Sequence, residues 1–392
     1  MSVFYNIIIS IYQFLITISS VFSSKSKEWI IGRKNFWNDL KLKTKKTKDI
    51  VWFHCASYGE YEQAKELMIA YKLKYKNHKI LLTFFSPSGY QNYKDLNIAD
   101  FVFYIPLDTK QNAKKFIAIV NPIKVIFVKY EFWLNFISVI SKKNIPLFFI
   151  SVIFRNDMIL LKSKWFRSKL KKITHIFLQD QNSADILLKN GFNNFSVTGD
   201  TRFDTVLSNL KNLKSNNLVE QFCRNSFVII GGSTWQKEEE ILIRYINEFP
   251  NKKYIIVPHE LDRLDNLKRD TNGIMLSKAN LQNIKNSNIL IVDSIGILST
   301  LYKYANIAFV GGGFAKGIHN VLEPIVFKVP VIIGPNYFKS NEAESLIKIG
   351  YVKVIKNFDE FKNTIESLKM KKITDSYIKQ NSGSVRKIIT KI

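Results

Sequence analysis

The sequence predicts an α/β protein of two domains, each a parallel sheet covered by helices on both faces. Short runs of β-branched and aromatic residues alternate with helix-length stretches, the pattern of strands buried on both sides. Glycine or polar clusters follow many of these runs, at the strand ends where parallel sheets hold their ligands. A polar stretch without aromatics, Leu207–Asn217, separates two such series. The length of 392 residues and the apolar content of 46% suffice for two cores.

An uncharged run, Val3–Phe22, lies near the N-terminus and is followed by Lys25, Lys27, Arg33 and Lys34. It is just long enough to span a bilayer. No basic stretch precedes it and no A-x-A-like site ends it, which argues against a cleaved signal peptide. The basic residues behind it would keep the body of the protein cytoplasmic. Asn6, Ser10, Gln13 and Thr17 weaken a span. Residues 1–24 are therefore expected to form a hydrophobic membrane anchor that either crosses the bilayer or lies in its interface, with a buried first helix as the alternative. Lys41–Lys48, K-L-K-T-K-K-T-K, suits an anionic membrane surface or a solvated linker.

The first domain is expected over residues 25–205, with strands at Ile50–His54, Ile80–Phe84, Phe101–Ile105, Lys124–Val128, Leu147–Val152 and His175–Leu178. After the first strand, Gly59 permits a tight turn and Glu60 opens a helix. There a carboxylate either stabilises the helix dipole or serves as a general base. After the second, Ser86 and Ser88 offer hydroxyls and a helix cap. After the fourth, Glu131 is an acid among Tyr130, Phe132 and Trp133. Two carboxylates at adjoining strand ends could share one active site.

Residues 206–224 read as a linker and residues 225–392 as the second domain. Its strands are expected at Phe227–Gly231, Tyr254–Val257, Ile289–Val292, Ile307–Val310 and Val329–Ile333. Gly232-Ser233-Thr234 precedes an acidic helix start, where it would hold a phosphate or merely cap the helix. Gly311-Gly312-Gly313 follows a strand, then come His319, Asn320 and Glu323-Pro324, then another strand: a βαβ unit. Its glycines would admit a ligand to the backbone, or simply satisfy a turn. From Asn357 on, the chain reads as lysine-rich helices whose tail packs back on either domain.

The net charge of +26 favours an anionic partner, although Lys, Asn, Ile and Phe are all abundant and the positive residues are spread along the chain, as a biased composition would give. The aromatics sit mostly inside strand runs rather than among basic clusters, so no nucleic-acid partner is expected. Two cysteines, Cys55 and Cys223, form no framework and fit a reducing compartment. The five histidines have no ligand spacing, so no structural metal is expected.

Six motifs, in order, carry a resemblance. They are S-Y-G-E at Ser57–Glu60, K-Y-E-F-W-L-N at Lys129–Asn135, G-D-T-R-F-D at Gly199–Asp204, G-S-T-W at Gly232–Trp235, L-Y-K-Y-A-N-I-A-F-V-G-G-G-F at Leu301–Phe314, and G-I-H-N-V-L-E-P at Gly317–Pro324. From about Ile50 to Glu344 the chain resembles the 3-deoxy-D-manno-octulosonic acid (Kdo) transferases. The resemblance implies the GT-B fold, two Rossmann-like domains facing a cleft. It implies transfer of Kdo from CMP-Kdo to the lipid A precursor, in lipopolysaccharide biosynthesis at the cytoplasmic face of the inner membrane. The transfer would be inverting, with no metal and no cofactor. Glu60 matches the family's general base and Glu131 a second carboxylate; Ser86 and Ser88 would lie on the acceptor side. The donor would be held by Ser233, Thr234, His259, Gly312, Gly313, His319, Asn320 and Glu323.

Two positions depart from the family pattern. His259-Glu260 follows Pro258 where an Arg-His pair is frequent, and Trp235 stands where a His is usual after G-S-T. The alternative reading is another GT-B enzyme with a UDP-sugar donor, which would not explain S-Y-G-E together with G-I-H-N-V-L-E-P.

Overall fold

The computed structural model describes residues 2–93, 97–211, 216–338, 340–367 and 371–392. Part of the expected linker, residues 212–215, lies outside these. The chain forms two compact units. One comprises the residues up to Thr205 together with Asn381–Ile392, the other Val206–Gln380.

Among the described residues each unit carries a seven-stranded sheet in which the paired strands are parallel. In the first unit the strands are β1 (Ile50–Cys55), β2 (Lys79–Phe84), β3 (Phe101–Tyr104), β4 (Lys124–Val128), β5 (Leu147–Val152), β6 (His175–Leu178) and β7 (Phe195–Val197), in spatial order β3-β2-β1-β4-β5-β6-β7. Strand order reverses between β1 and β4, which is where open α/β sheets leave a crevice at their carboxyl ends. Side chains alternate across β1. Trp52 packs into a cluster with Phe116, Phe127 and Phe136, while Val51 and Phe53 join another with Leu67, Tyr71 and Ile126. Both faces are thus apolar and buried, as the uninterrupted strand runs required.

The second unit contains β8 (Val228–Thr234), β9 (Lys253–Pro258), β10 (Ile274–Met275), β11 (Ile289–Ile291), β12 (Ile307–Val310), β13 (Val331–Ile333) and β14 (Val352–Val354), in order β10-β11-β9-β8-β12-β13-β14. Here the order reverses between β8 and β12. Strands β7, β10 and β14 escaped the sequence reading. All three are two or three residues long and lie at sheet edges, too short to show a periodicity.

The second domain was expected to run to residue 392, but residues 381–392 pack on the first unit. Asp204 explains this: its two carboxylate oxygens accept the Gly383 and Val385 N–H groups at 2.7 and 2.9 Å. Ile388 and Ile392 then close the cluster that holds Val51 and Phe53.

The hydrophobic run near the N-terminus forms the helix Ser2–Ser19. Among the described residues no single helix is long and apolar enough to cross a membrane; Val3–Ser19 and Ser24–Ile31 satisfy length and composition together but are bent by 116°. The first helix is docked through polar contacts. Tyr5 donates to Asp108 Oδ2 at 2.6 Å, and Asn135 Nδ2 donates to Asn6 Oδ1 at 2.9 Å. Its other face leaves Phe4, Ile7, Ile11, Phe14, Leu15 and Ile18 exposed. The following helices are fastened by Arg33. Its guanidinium donates to the carbonyls of Trp29, Phe85 and Ile105 at 3.0, 2.8 and 3.2 Å, and lies 3.7 Å over the Trp29 ring.

Asp108 is the junction of this region. Fully buried, it also accepts the Asn135 and Phe136 N–H groups, both at 2.9 Å, at the start of the helix Leu134–Lys142. Replacing Asp108 with Ala orphans one buried and two part-buried donors and should cost about 2–4 kcal/mol. Urea denaturation of D108A measures this, and the first helix should become the earliest site of proteolytic cleavage. Unchanged stability would show that Asp108 does not hold the junction.

Candidate active site

The first unit brings Glu60 and Glu131 to the carboxyl ends of β1 and β4, at the crossover. The helix Tyr58–Lys74 starts two residues beyond β1 and carries Glu60 in its first turn. Glu60 Oε2 reaches back to accept the Ala56 N–H, which fixes the carboxylate against the strand end. Burial, reinforced by the nearby Glu131 charge, raises its carboxyl to about 7; the Ala56 N–H and Lys129 oppose the shift. Simple dipole stabilisation would have lowered it; here burial outweighs that effect.

Glu131 lies just beyond β4 and is held by donors on two sides. His54 Nε2 is 3.3 Å and Trp133 Nε1 2.7 Å from its Oε2. His54 is itself fully buried in β1, with Nδ1 2.9 Å from the Thr83 hydroxyl of β2. Thr83 also accepts from Trp52 Nε1 at 2.8 Å. A hydrogen-bonded chain therefore runs from β2 through β1 to Glu131 beyond the end of β4. Sequence reading singled out the two carboxylates and missed this support, because His54 and Thr83 sit within apolar runs where they look like core residues. Ser86 caps the helix Pro87–Asn92 by accepting the Gly89 N–H at 3.1 Å, and its hydroxyl lies 3.2 Å from that of the exposed Ser88.

In the second unit the expected donor residues collect at the β8/β12 crossover. Ser233 and Thr234, expected in the turn before the helix start, belong instead to the end of the strand β8. The helix begins at Gln236. Ser233 adopts a left-handed φ of 52°, and the β8–β9 register shifts between Gly232 and Thr234, an irregularity in the three residues by which the strand outruns its expected end at Gly231. Thr234 is buried with its hydroxyl 3.3 Å from Glu239. Glu239 in turn binds Arg263 at 2.6 Å, while the buried Glu238 accepts the Trp235 and Phe314 N–H groups at 3.2 Å each. The acidic run behind G-S-T-W thus tethers the glycine turn to β8, a role its position at a helix start had masked.

The glycines are dictated by backbone packing. A Cβ on Gly311 would lie 2.0 Å from the Ser233 carbonyl oxygen, and one on Gly313 would lie 2.5 Å from the Gly334 nitrogen. Gly312 has φ +87° and faces the Gly317 carbonyl. What approaches these glycines closely is the protein's own chain. The turn they allow presents His319, whose N–H donates to the Gly311 carbonyl at 3.0 Å. Asn320 links this turn to the helix Leu322–Val326, accepting the Leu322 N–H at 3.0 Å and donating to Glu323 Oε1 at 3.2 Å. His259, beyond β9, completes a ring cluster with Trp235 and His319, at centroid distances of 4.7 and 4.4 Å.

Comparison with known proteins agrees with this architecture. Residues 33–205 match the family model described as 3-deoxy-D-manno-octulosonic-acid transferase (kdotransferase). A bifunctional glycosyltransferase/methyltransferase of Fusobacterium nucleatum is 30% identical over 359 residues; the match covers 85% of this chain, which spans only 54% of that relative. A 3-deoxy-D-manno-octulosonic acid transferase of Haemophilus influenzae is 28% identical over 341 residues, covering 81% of this chain and 78% of the relative. Among solved structures, a UDP-GlcNAc 2-epimerase from Neisseria meningitidis aligns with a TM-score of 0.56 over 87% of this chain and 98% of its own, at 16% identity, a likeness of fold alone. Residues 33–205 and these relatives make the chain similar to Kdo transferases, and its two parallel-sheet units are consistent with a GT-B-like fold.

Proposed function

We propose that the protein transfers Kdo from CMP-Kdo to the lipid A precursor. The observation that carries this reading is Glu60: a carboxyl raised to about 7, at the crossover of the sheet that matches the Kdo-transferase model. In the proposed step the Glu60 carboxylate takes the proton of an acceptor hydroxyl. The hydroxyl oxygen bonds to the anomeric carbon of Kdo as the bond from that carbon to the CMP phosphate oxygen breaks, and CMP leaves with the electron pair. Glu131, held by His54 and Trp133, orients the acceptor and raises the basicity of Glu60. Ser86 and Ser88 belong to the acceptor side. On the donor side Glu323 and Asn320 bind the nucleotide; His259, His319 and Ser233 hold the anionic groups. Thr234, Gly312 and Gly313 shape the turn that presents them. The exposed apolar face of the first helix, with the lysines that follow it, suits an anionic membrane surface bearing the lipid acceptor.

Mass analysis of the products formed from CMP-Kdo and the lipid A precursor tests the reaction. The precursor should gain the mass of one or more Kdo residues, and an unchanged precursor sinks the proposal.

Glu60→Gln separates the base from a structural acid. It should lower kcat roughly 10²- to 10⁴-fold, and the wild-type rate should climb with pH through an acid limb near 7. Stability should move the other way. Because the folded carboxyl titrates near 7 rather than 4.5, its contribution to wild-type stability is fully present at low pH and is lost as pH rises between those values. At pH 8 Glu60→Gln should therefore melt no lower than wild type. Retained transfer activity in a folded variant would refute the assignment.

A further inference from the structure

Trp235 is more than a replacement for a usual histidine. Its indole nitrogen can only donate a hydrogen bond, and it lies 3.1 Å from His319 Nε2. That nitrogen must then be the acceptor, so the neutral His319 ring carries its proton on Nδ1. His259 stacks on the Trp235 ring at an interplanar angle of 23° and tilts against His319 at 32°, so the three rings hold one another in place. The three come from the ends of adjacent strands, β9, β8 and β12. Trp235 is itself seated by its N–H bond to the buried Glu238.

We infer that Trp235 is a positioning residue that fixes His319 as its Nδ1–H tautomer, giving the donor site an uncharged hydrogen-bond donor aimed at an anionic group of the sugar nucleotide. This rests on the donor-site reading above. Protonating Nε2 would break the indole bond. Burial, reinforced by the neighbouring His259, already lowers the titration of His319 to about 4. A histidine in place of Trp235 could donate or accept, and so would leave the His319 tautomer open. Indole at this position removes that freedom. It also means that the site meets the donor's charge with a dipole rather than a cation at His319, which makes the contact insensitive to salt.

Two measurements on the full-length protein test the inference. In long-range ¹H–¹⁵N spectra of histidine-labelled wild type, His319 should show a bare Nε2 and a protonated Nδ1. Trp235→Phe, which keeps a stacking ring but deletes the N–H, should shift His319 toward a mixture of tautomers. It should also raise KM for CMP-Kdo about three- to tenfold at nearly unchanged kcat, the loss of one hydrogen bond made equally in ground and transition states. A wild-type His319 protonated on Nε2 overturns the inference whatever the variant does, and so does a Trp235→Phe protein with unaltered tautomer or unaltered KM. Failure of wild type to use CMP-Kdo would instead refute the donor reading and with it the ligand role of His319. The tautomer itself is read from the spectra without reference to activity.

Discussion

The first domain depends on one buried imidazole. His54 has no solvent exposure and lies inside a strand whose neighbours are Trp, Phe and Cys, so its polar atoms must find partners within the sheet. It finds them in Thr83 on one side and Glu131 on the other, 2.9 and 3.3 Å away. Glu131 can thus stand at the rim without drifting to solvent, and its charge is one of the two forces that lift the Glu60 carboxyl. A core residue of the sheet thereby helps to place the charge that, after burial, raises the carboxyl of a group on the next helix.

The second domain solves the corresponding problem with glycine. Three strand ends converge at the crossover, and the chain leaving β12 must pass against β8 on one side and the Gly334 turn on the other. Side chains at Gly311 or Gly313 would collide with backbone, which cannot move aside as a flexible side chain can. Buried acids stitch the same region together: Glu238 ties the turn to β8, and Glu239 joins Thr234 to Arg263. The result is a rigid platform on which His319, Asn320 and Glu323 are displayed.

Much of this was legible in the sequence. Long apolar runs announced the inner strands, and the acids after β1 and β4 stood out because strands are followed by ligand-binding turns in parallel sheets. The edge strands did not, since two or three half-exposed residues carry no period. Nor did the destination of the last residues, because the capping of Gly383 and Val385 by Asp204 joins positions far apart in sequence. The glycine cluster suggests a close approach by a ligand or a plain turn; the close neighbours of Gly311 and Gly313 in the fold are the Ser233 and Gly334 backbone, which no local pattern announces. Local pattern reveals which residues are unusual; which atoms they meet is settled by topology.

The return of residues 381–392 to the first unit has a consequence for how the chain is made. Ile388 and Ile392 complete a core whose other members are encoded more than 200 positions earlier, among them Phe177 and Tyr71. On the ribosome, the first sheet must wait with part of one face uncovered until the whole second unit has been synthesised. Its maturation is thus not strictly vectorial, and the interval in which that apolar face stands open is set by the time needed to translate the intervening domain.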